Sequence, residues 1–285
     1  MIIAQITDFH VRPCGKFAYG VVDSNAMLEA AVAALEAMPS RPDVVIGTGD
    51  LTDCGLTEEY AVLREILKPL SMPVYLVPGN HDRRAELRRE FASDGYLPED
   101  GDFLHYVVED HAVRLIGLDT VVPGHGHGRM CDARLAWLEQ RLAEEPSRPT
   151  LIFMHHPPFR TGLVDMDRIN CANGEAMARL LQGHGNIERV VCGHHHRPIT
   201  TRWAGTIGSV APSTAHQVTL DLRVEGCPAS FVLEPPGLHL HVWEPTAGLV
   251  THMVPIGTFP GPYPFLLDAE YPGHAAEGAS SPTAK

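Results

Sequence analysis

Leu76-Val77-Pro78-Gly79-Asn80-His81-Asp82 is the stretch from which the rest of the chain reads most clearly: an apolar run stops at Pro-Gly and three polar side chains follow at once. This is the pattern of a strand that hands chemistry to a loop. Pro78 fixes φ and lacks an amide donor, and Gly79 permits backbone angles other residues avoid, so Asn80 and His81 are expected in one fixed geometry. Four more apolar runs end the same way, in Asp8-Phe9-His10, Gly49-Asp50, His155-His156-Pro157-Pro158 and Gly193-His194-His195-His196. Five strand-end clusters of Asp, Asn and His are hard to explain by packing.

Between these clusters, buried-strand runs alternate with helical spacing. Residues 2–6, 44–46 and 74–77 read as strands, and Ala26, Leu28, Ala31, Val32, Leu35 and Met38 mark one apolar helix face after the N-cap candidate Asp23. Thr57 is a cap candidate for a second helix ending near Leu67, and the charged run from Arg83 to Glu90 reads as a solvated helix face. Residues 103–109 and 113–118 predict a hairpin, 132–143 a helix, 150–154 a strand, 174–182 a helix and 187–192 a strand. After Pro198 only short β-like runs remain, at 206–207, 217–222, 230–233, 238–243 and 249–254, which suggest antiparallel strands completing or covering a sheet. The class is therefore α/β. In such sheets ligands collect beyond the carboxyl ends of strands, which brings distant clusters together.

The 285 residues suffice for one large domain, and no long linker forces a split. The N-terminus lacks a basic segment before its short apolar run, and no apolar stretch approaches membrane-spanning length, so a cytoplasmic protein without a membrane partner is expected. Six cysteines without a Cys-x-x-Cys pair argue against a zinc knuckle or a disulfide framework. A net charge of −13 is the wrong sign for binding long nucleic acid, although bound dications can reverse the field locally.

The chemistry at the strand ends is that of a metal site. In extended backbone Asp8 and His10 leave the same face and so do His194 and His196, while Phe9 turns toward the core and His195 toward structure or solvent. Asp50 is the sole carboxylate at its strand end, and its two oxygens can bridge two cations. Asn80 offers a carbonyl oxygen and His155 an imidazole, and mixed oxygen and nitrogen donors suit Mn, Fe, Zn or Co. His125 and His127, in Gly-His-Gly-His-Gly, read as a surface loop.

Taken together, Asp8-x-His10, Gly49-Asp50, Gly79-Asn80-His81-Asp82, His155-His156-Pro157-Pro158 and Gly193-His194-x-His196 resemble the calcineurin-like binuclear metallophosphoesterases. Ala18-Tyr19-Gly20, Asp53-Cys54-Gly55, Met166-Asp167, Asn170-Cys171 and Ala215-His216-Gln217-Val218 are similar to the bacterial glycerophosphodiesterase and class III cyclic-nucleotide phosphodiesterase branch. The resemblance covers about residues 1–220. It implies an αββα sandwich over residues 1–271, with cap or dimer contacts, hence a homo-oligomer, within about 200–271; the tail at 272–285, rich in Ala, Ser, Gly and Pro, reads as disordered from its composition. The resemblance implies two divalent metal ions, one held by Asp8, His10, Asp50 and His196 and the other by Asp50, Asn80, His155 and His194. It further implies hydrolysis of small phosphodiesters by a metal-activated hydroxide, the substrates being glycerophosphodiesters or 3',5'- or 2',3'-cyclic nucleotides. Asn80, His81 and His216 would contact substrate, with His81 the catalytic residue, as transition-state stabiliser or leaving-group proton donor; Asp82 would orient and His156 support. A phosphomonoesterase on the same core, or a non-catalytic metal-binding interaction module, are the competing readings.

Overall fold

The computed structural model describes residues 1–223 and 229–263. In chain order, β1 (Ile2–Ile6), α1 (Ser24–Glu36), β2 (Val44–Thr48), α2 (Thr57–Leu67), β3 (Val74–Val77) and α3 (Arg84–Glu90) form the first half. There follow β4 (Tyr106–Val108), β5 (Arg114–Leu118), β6 (Gly128–Arg129), α4 (Asp132–Glu144), β7 (Thr150–Met154), α5 (Val164–Asp167), β8 (Cys171–Ala172), α6 (Gly174–Leu181) and β9 (Ile187–Cys192). The remainder is β10 (Ile199–Trp203), β11 (Thr206–Val210), β12 (Gln217–Val218), β13 (Phe231–Val232), β14 (Gly237–Glu244) and β15 (Gly248–Pro255).

Two large sheets result, ordered β15-β14-β1-β2-β3 and β10-β11-β9-β7-β5-β4, beside the two-stranded pairs β12-β13 and β6-β8. β1, β2 and β3 are parallel, as are β5, β7, β9 and β11, because helices or long loops carry the chain back between them. Strand alternation divides the side chains of the second sheet between two cores. Leu115, Leu151, Phe153 and Val191 face the first sheet and join its core with α1 and α2. Ile116, Ile152, Met154 and Val190 face outward and pack under α4 and α6. The architecture is thus helices, sheet, sheet, helices. Phe9 is fully buried in the first of these cores, a contribution of about 1.5–3 kcal/mol, and it anchors the loop after β1.

The strands β1, β3, β7 and β9 have the bounds read from sequence, and Asp23 caps α1 by accepting from Ala26 N at 3.2 Å. Other details differ. Thr57 is the first helical residue rather than the cap; its hydroxyl donates to Glu86, and the buried Glu59 carboxylate accepts the N–H groups of Leu56 and Cys54 at 3.0 Å each. The charged run in α3 is not wholly solvated, since Arg84 reaches inward to the fully buried Asp119 (Nη2 to Oδ1 2.8 Å) and to the Val121 carbonyl. β10 carries no apolar run because it is an edge strand with alternating half-exposed residues, which is why its sequence gives no strand signal. The ladder expected over 217–222 stops at Val218. The expected disordered tail at 272–285 lies outside the described residues, as does Cys227. The other cysteines are free thiols, Cys171 and Cys192 buried and Cys14 and Cys54 exposed.

Candidate metal centre and active site

Each cluster follows a strand end, and in three of them the backbone is not extended. Asp8, His10, Asp50, His194 and His196 all lie at positive φ, between 48° and 71°. Side-chain alternation therefore does not bring Asp8 to His10 or His194 to His196; tight left-handed loops do. Such a conformation is strained for residues other than glycine and persists only where surrounding contacts impose it. Here they do: Asp8 N donates to Gly49 O and His10 N to Asp50 O, both at 3.0 Å, and His194 N donates to the Asp8 carboxylate. Gly79 does not have positive φ. It is required for space, because a Cβ there would stand 2.2 Å from Asp50 Oδ1 and 2.3 Å from Asp50 N. Gly193 has the same role against Thr7 Oγ1 and the Asp8 carboxylate.

Two groups of side chains converge. Asp8, His10, Asp50 and His196 place one ligand atom each within 4.8 Å of the others. Alongside, His155 Nε2 lies 3.4 Å from Asp50 Oδ2 and 3.1 Å from Asn80 Oδ1, and the His194 ring is centred 5.0 Å from that of His155. Asp50 thus touches both groups. His156 is within the same range of His155 and His194.

The imidazoles are oriented by what holds their far nitrogens. His10 Nδ1 faces the Asp53 carboxylate (3.2 Å), His155 Nδ1 the Thr48 carbonyl (2.8 Å), His196 Nδ1 the His216 carbonyl (2.9 Å), His194 Nε2 the Ile169 carbonyl (3.1 Å) and His81 Nδ1 the Asp53 carbonyl (2.7 Å). Those oxygens only accept, so each ring must donate there and keeps its other nitrogen for the centre. The inward atoms are too crowded to satisfy one another. His10 Nε2 and His196 Nε2 face each other at 3.4 Å, and the buried Nε2 of His156 and Nδ1 of His216 have no hydrogen-bond partner. A cation between these groups resolves the crowding, and the donor set fits divalent ions bound through nitrogen and oxygen.

Electrostatics point the same way. Burial raises the Asp50 carboxyl, but the charges of His155, His81 and His10 outweigh it and hold the group well below its usual range; Asp8 is likewise lowered by His196 against burial. In return, and against their own burial, His155 is pushed up to about 9 by Asp50 and His196 is raised by Asp8. Without a metal, protons on these two rings neutralise the carboxylates. Burial and neighbouring histidines keep His194 and His156 far below the normal imidazole range, so both offer lone pairs.

His81 stands at the rim, its side chain 30% exposed and Nε2 4.0 Å from Asp50 Oδ2, while its backbone N–H donates to Asp50 Oδ1. Asp82 does not orient it. That carboxylate accepts from Gly79 N, Leu51 N, Thr52 N, Thr52 Oγ1 and Tyr60 Oη at 2.8–3.1 Å, and so ties the Asp50 loop to the Asn80 loop. Asp53 is the residue that a strand-end search passes over. It holds His10 by its side chain and His81 by its backbone, and is itself fixed by Arg12 at 3.5 Å. Its place three residues after Asp50, inside the same loop, and the Asp53-Cys54-Gly55 stretch quoted above are the signals the sequence offers. His195 is buried and structural, bonded to Asn170 Oδ1 (2.7 Å) and Thr161 Oγ1 (3.0 Å). His156 Nδ1 pairs with Thr120 Oγ1 at 2.7 Å. His125 is exposed and outside every such group.

A cavity of about 220 Å³ opens over the centre, lined by His10, Asp50, Asn80, His81, His194, His196 and His216. Larger clefts, one of about 670 Å³ between α1 and α2 and one of about 690 Å³ between the end of α2, β3 and residues 91–96, hold none of the candidate residues. The family described as calcineurin-like phosphoesterase matches residues 1–198. The chain belongs to that family. Among relatives of this phosphoesterase, a probable glycerophosphodiester phosphodiesterase of Arcobacter nitrofigilis is 42% identical over 266 residues, covering 93% of this chain and 97% of its own. A probable cyclic nucleotide phosphodiesterase of Rhodopseudomonas palustris is 38% identical over 260 residues, covering 88% and 91%. Among solved structures, a dimetal phosphatase from Danio rerio shares the fold with a TM-score of 0.61 at 14% identity, over 90% of this chain and 99% of that one. Among the described residues, no helix is long and apolar enough to cross a membrane.

Proposed function

We propose that this phosphoesterase hydrolyses small phosphodiesters at a centre of two divalent ions, one held by Asp8, His10, Asp50 and His196 and the other by Asp50, Asn80, His155 and His194. The observation that carries the reading is the set of four imidazoles with outward nitrogens tied down and inward nitrogens gathered around Asp8 and Asp50. Ions of the Mn, Fe, Zn or Co type would supply Lewis-acid charge and an activated water there. The protein's own contribution is orientation and a proton. Asp53 fixes the His10 and His81 rings, and Asp82 locks the two loops that carry Asp50 and Asn80. His81 uses Nδ1 for Asp53, so Nε2 faces the cavity; burial lowers its basicity, but Asp50 and Asp53 more than restore it, and the ring is raised above its ordinary value. In that position a protonated Nε2 would give its proton to the departing alkoxide. His216, pushed down to about 2 by burial and by His196 and His10, stays neutral and meets the phosphate without charge.

The high identity and near-complete overlap with a probable glycerophosphodiester phosphodiesterase support a diester over a monoester. Free, soluble substrates in the cytoplasm, rather than a membrane or a long nucleic acid, agree with the net charge of −13. The test is a turnover panel on chelated and then metal-reconstituted protein, comparing a diester, its monoester and a cyclic nucleotide. Activity lost on chelation and restored by Mn, Co, Fe or Zn is expected. Full activity in verified metal-free protein would defeat the proposal, and a preference for the monoester would replace diester with monoester.

A further inference from the structure

The outer wall of the cavity is aromatic and carries no charge. Tyr19 is delivered by a turn that Ala18 and Val22 close with reciprocal backbone hydrogen bonds of 2.9 Å, and both Tyr19 and Gly20 have positive φ, 50° and 74°. For tyrosine that backbone costs on the order of 1–3 kcal/mol, so the ring is held in place rather than merely left there. Facing it is Phe231, supplied by β13 of the small hairpin in which Gln217 pairs with Val232 and Val218 with Phe231. The two ring centres are 5.2 Å apart with 36° between planes. His216 stands edge-on to both, at 5.1 Å from Tyr19 and 5.0 Å from Phe231, and its ring lies 5.1 Å from His10 and 4.6 Å from His196. An unbroken row of rings therefore runs from the proposed metal ligands to the cavity mouth. Met166 and Ile169 also line the cavity, and among its described lining residues there is no Lys or Arg.

Size and charge then select the substituent. A volume of about 220 Å³ is below the roughly 300–1,000 Å³ of pockets that enclose drug-sized ligands, and part of it must take the phosphoryl group. Beyond the rim imidazole of His81, no described residue lining the cavity offers a cation to a second anionic group. We infer that the Tyr19–Phe231 pair is the specificity-determining wall, admitting a small neutral alcohol of glycerol size and excluding a purine or other bulky ring. This rests on the phosphodiesterase reading and narrows its substrate. Phe231 lies beyond residues 1–198, so the selecting ring comes from a segment the family match does not span.

The test compares kcat/KM for glycerophosphoethanolamine and for 3',5'-cyclic AMP in the metal-reconstituted wild type, Phe231→Ala and Phe231→Trp, with metal content and melting temperature measured on each. The wild type should favour the glycerol diester. Phe231→Ala should raise the ratio of bulky to small substrate by roughly 10-fold or more, mainly through KM, the scale of one apolar pocket contact, and Phe231→Trp should lower it. Phe231 also packs against Ala18, Val22 and Ala215, so Phe231→Leu, which keeps apolar contact without the ring, gives the reading if the alanine variant unfolds. A ratio unchanged within about twofold in every folded variant, or a wild type that favours the cyclic nucleotide, overturns the wall. A reconstituted wild type that cleaves neither diester overturns the phosphodiesterase reading instead, and the inference falls with it.

Discussion

Replacing His81 by alanine separates chemistry from stability, because the ring invests little in the fold. Its side chain is 30% exposed and makes one hydrogen bond, from Nδ1 to the Asp53 carbonyl at 2.7 Å. Removing one partly exposed hydrogen bond costs about 0.5–1.5 kcal/mol, which lowers the melting temperature by no more than a few degrees in a chain of this size. The backbone N–H that donates to Asp50 Oδ1 survives the substitution, so Asp50 keeps its orientation and two ions should still bind. Loss of a positioned proton donor, by contrast, reduces kcat by roughly 10²-fold or more, equivalent to about 2.7 kcal/mol in the barrier. Steady-state kinetics on two diesters then distinguishes donation from positioning. The drop should be large for a glycerol leaving group, whose alkoxide needs the proton, and small for a nitrophenolate, which does not. Metal analysis and melting curves come first. Equal impairment on both substrates would refute proton transfer by His81, and lost metal or a large fall in melting temperature would return the ring to a structural role.

The other predictions follow from single contacts. Asn80→Ala should weaken the second ion far more than the first, because Asn80 Oδ1 lies 3.1 Å from His155 Nε2, a ligand proposed for the second ion alone; Asp50→Ala should weaken both, and stoichiometry by elemental analysis decides each case. Gly79→Ala forces a Cβ to within 2.3 Å of the Asp50 backbone nitrogen, which cannot yield, so a loss of about 1–3 kcal/mol and reduced metal content are expected; a native melting temperature would contradict the steric argument. In chelated protein, His155 at about 9 is raised above its unfolded value near 6.5, so its stabilisation is complete below pH 6.5 and fades as pH rises through 9. Chelated protein should therefore lose on the order of 3 kcal/mol between pH 6 and 10, and an alkaline melting series that stays flat would argue against the His155–Asp50 pair.

The parallel strands were legible because strands buried on both faces read as near-continuous apolar runs, as residues 2–6, 74–77 and 150–154 do, and 187–192 ends in Val190-Val191-Cys192. The half-exposed β10 has no such run and was invisible. Asp8, His10, Asp50, Asn80, His155, His194 and His196 were legible as candidates because polar residues that end apolar strands have little other reason to be there, yet the alternation offered for pairing Asp8 with His10 and His194 with His196 was wrong. Backbone at positive φ brings those pairs together, and nothing in Asp-Phe-His or His-His-His announces it. The supporting contacts were hidden for a different reason. Thr48, His216, Ile169 and Asp53 hold imidazoles through backbone carbonyls, and a main-chain oxygen leaves no trace in residue identity.

The position of β1 inside its sheet bears on when the centre can exist during synthesis. β1 is hydrogen-bonded on one side to β2 and on the other to β14, with Ile2 opposite Val242, so the strand that leads into Asp8 and His10 acquires its second neighbour only after more than 230 further residues have been made. His196 arrives late as well, long after its partner Asp8. A ribosome-bound chain carries the N-terminal half of the centre with one flank of its scaffold missing. A centre built on Asp8 and His10 is consequently scaffolded on both flanks only once β14 has been made.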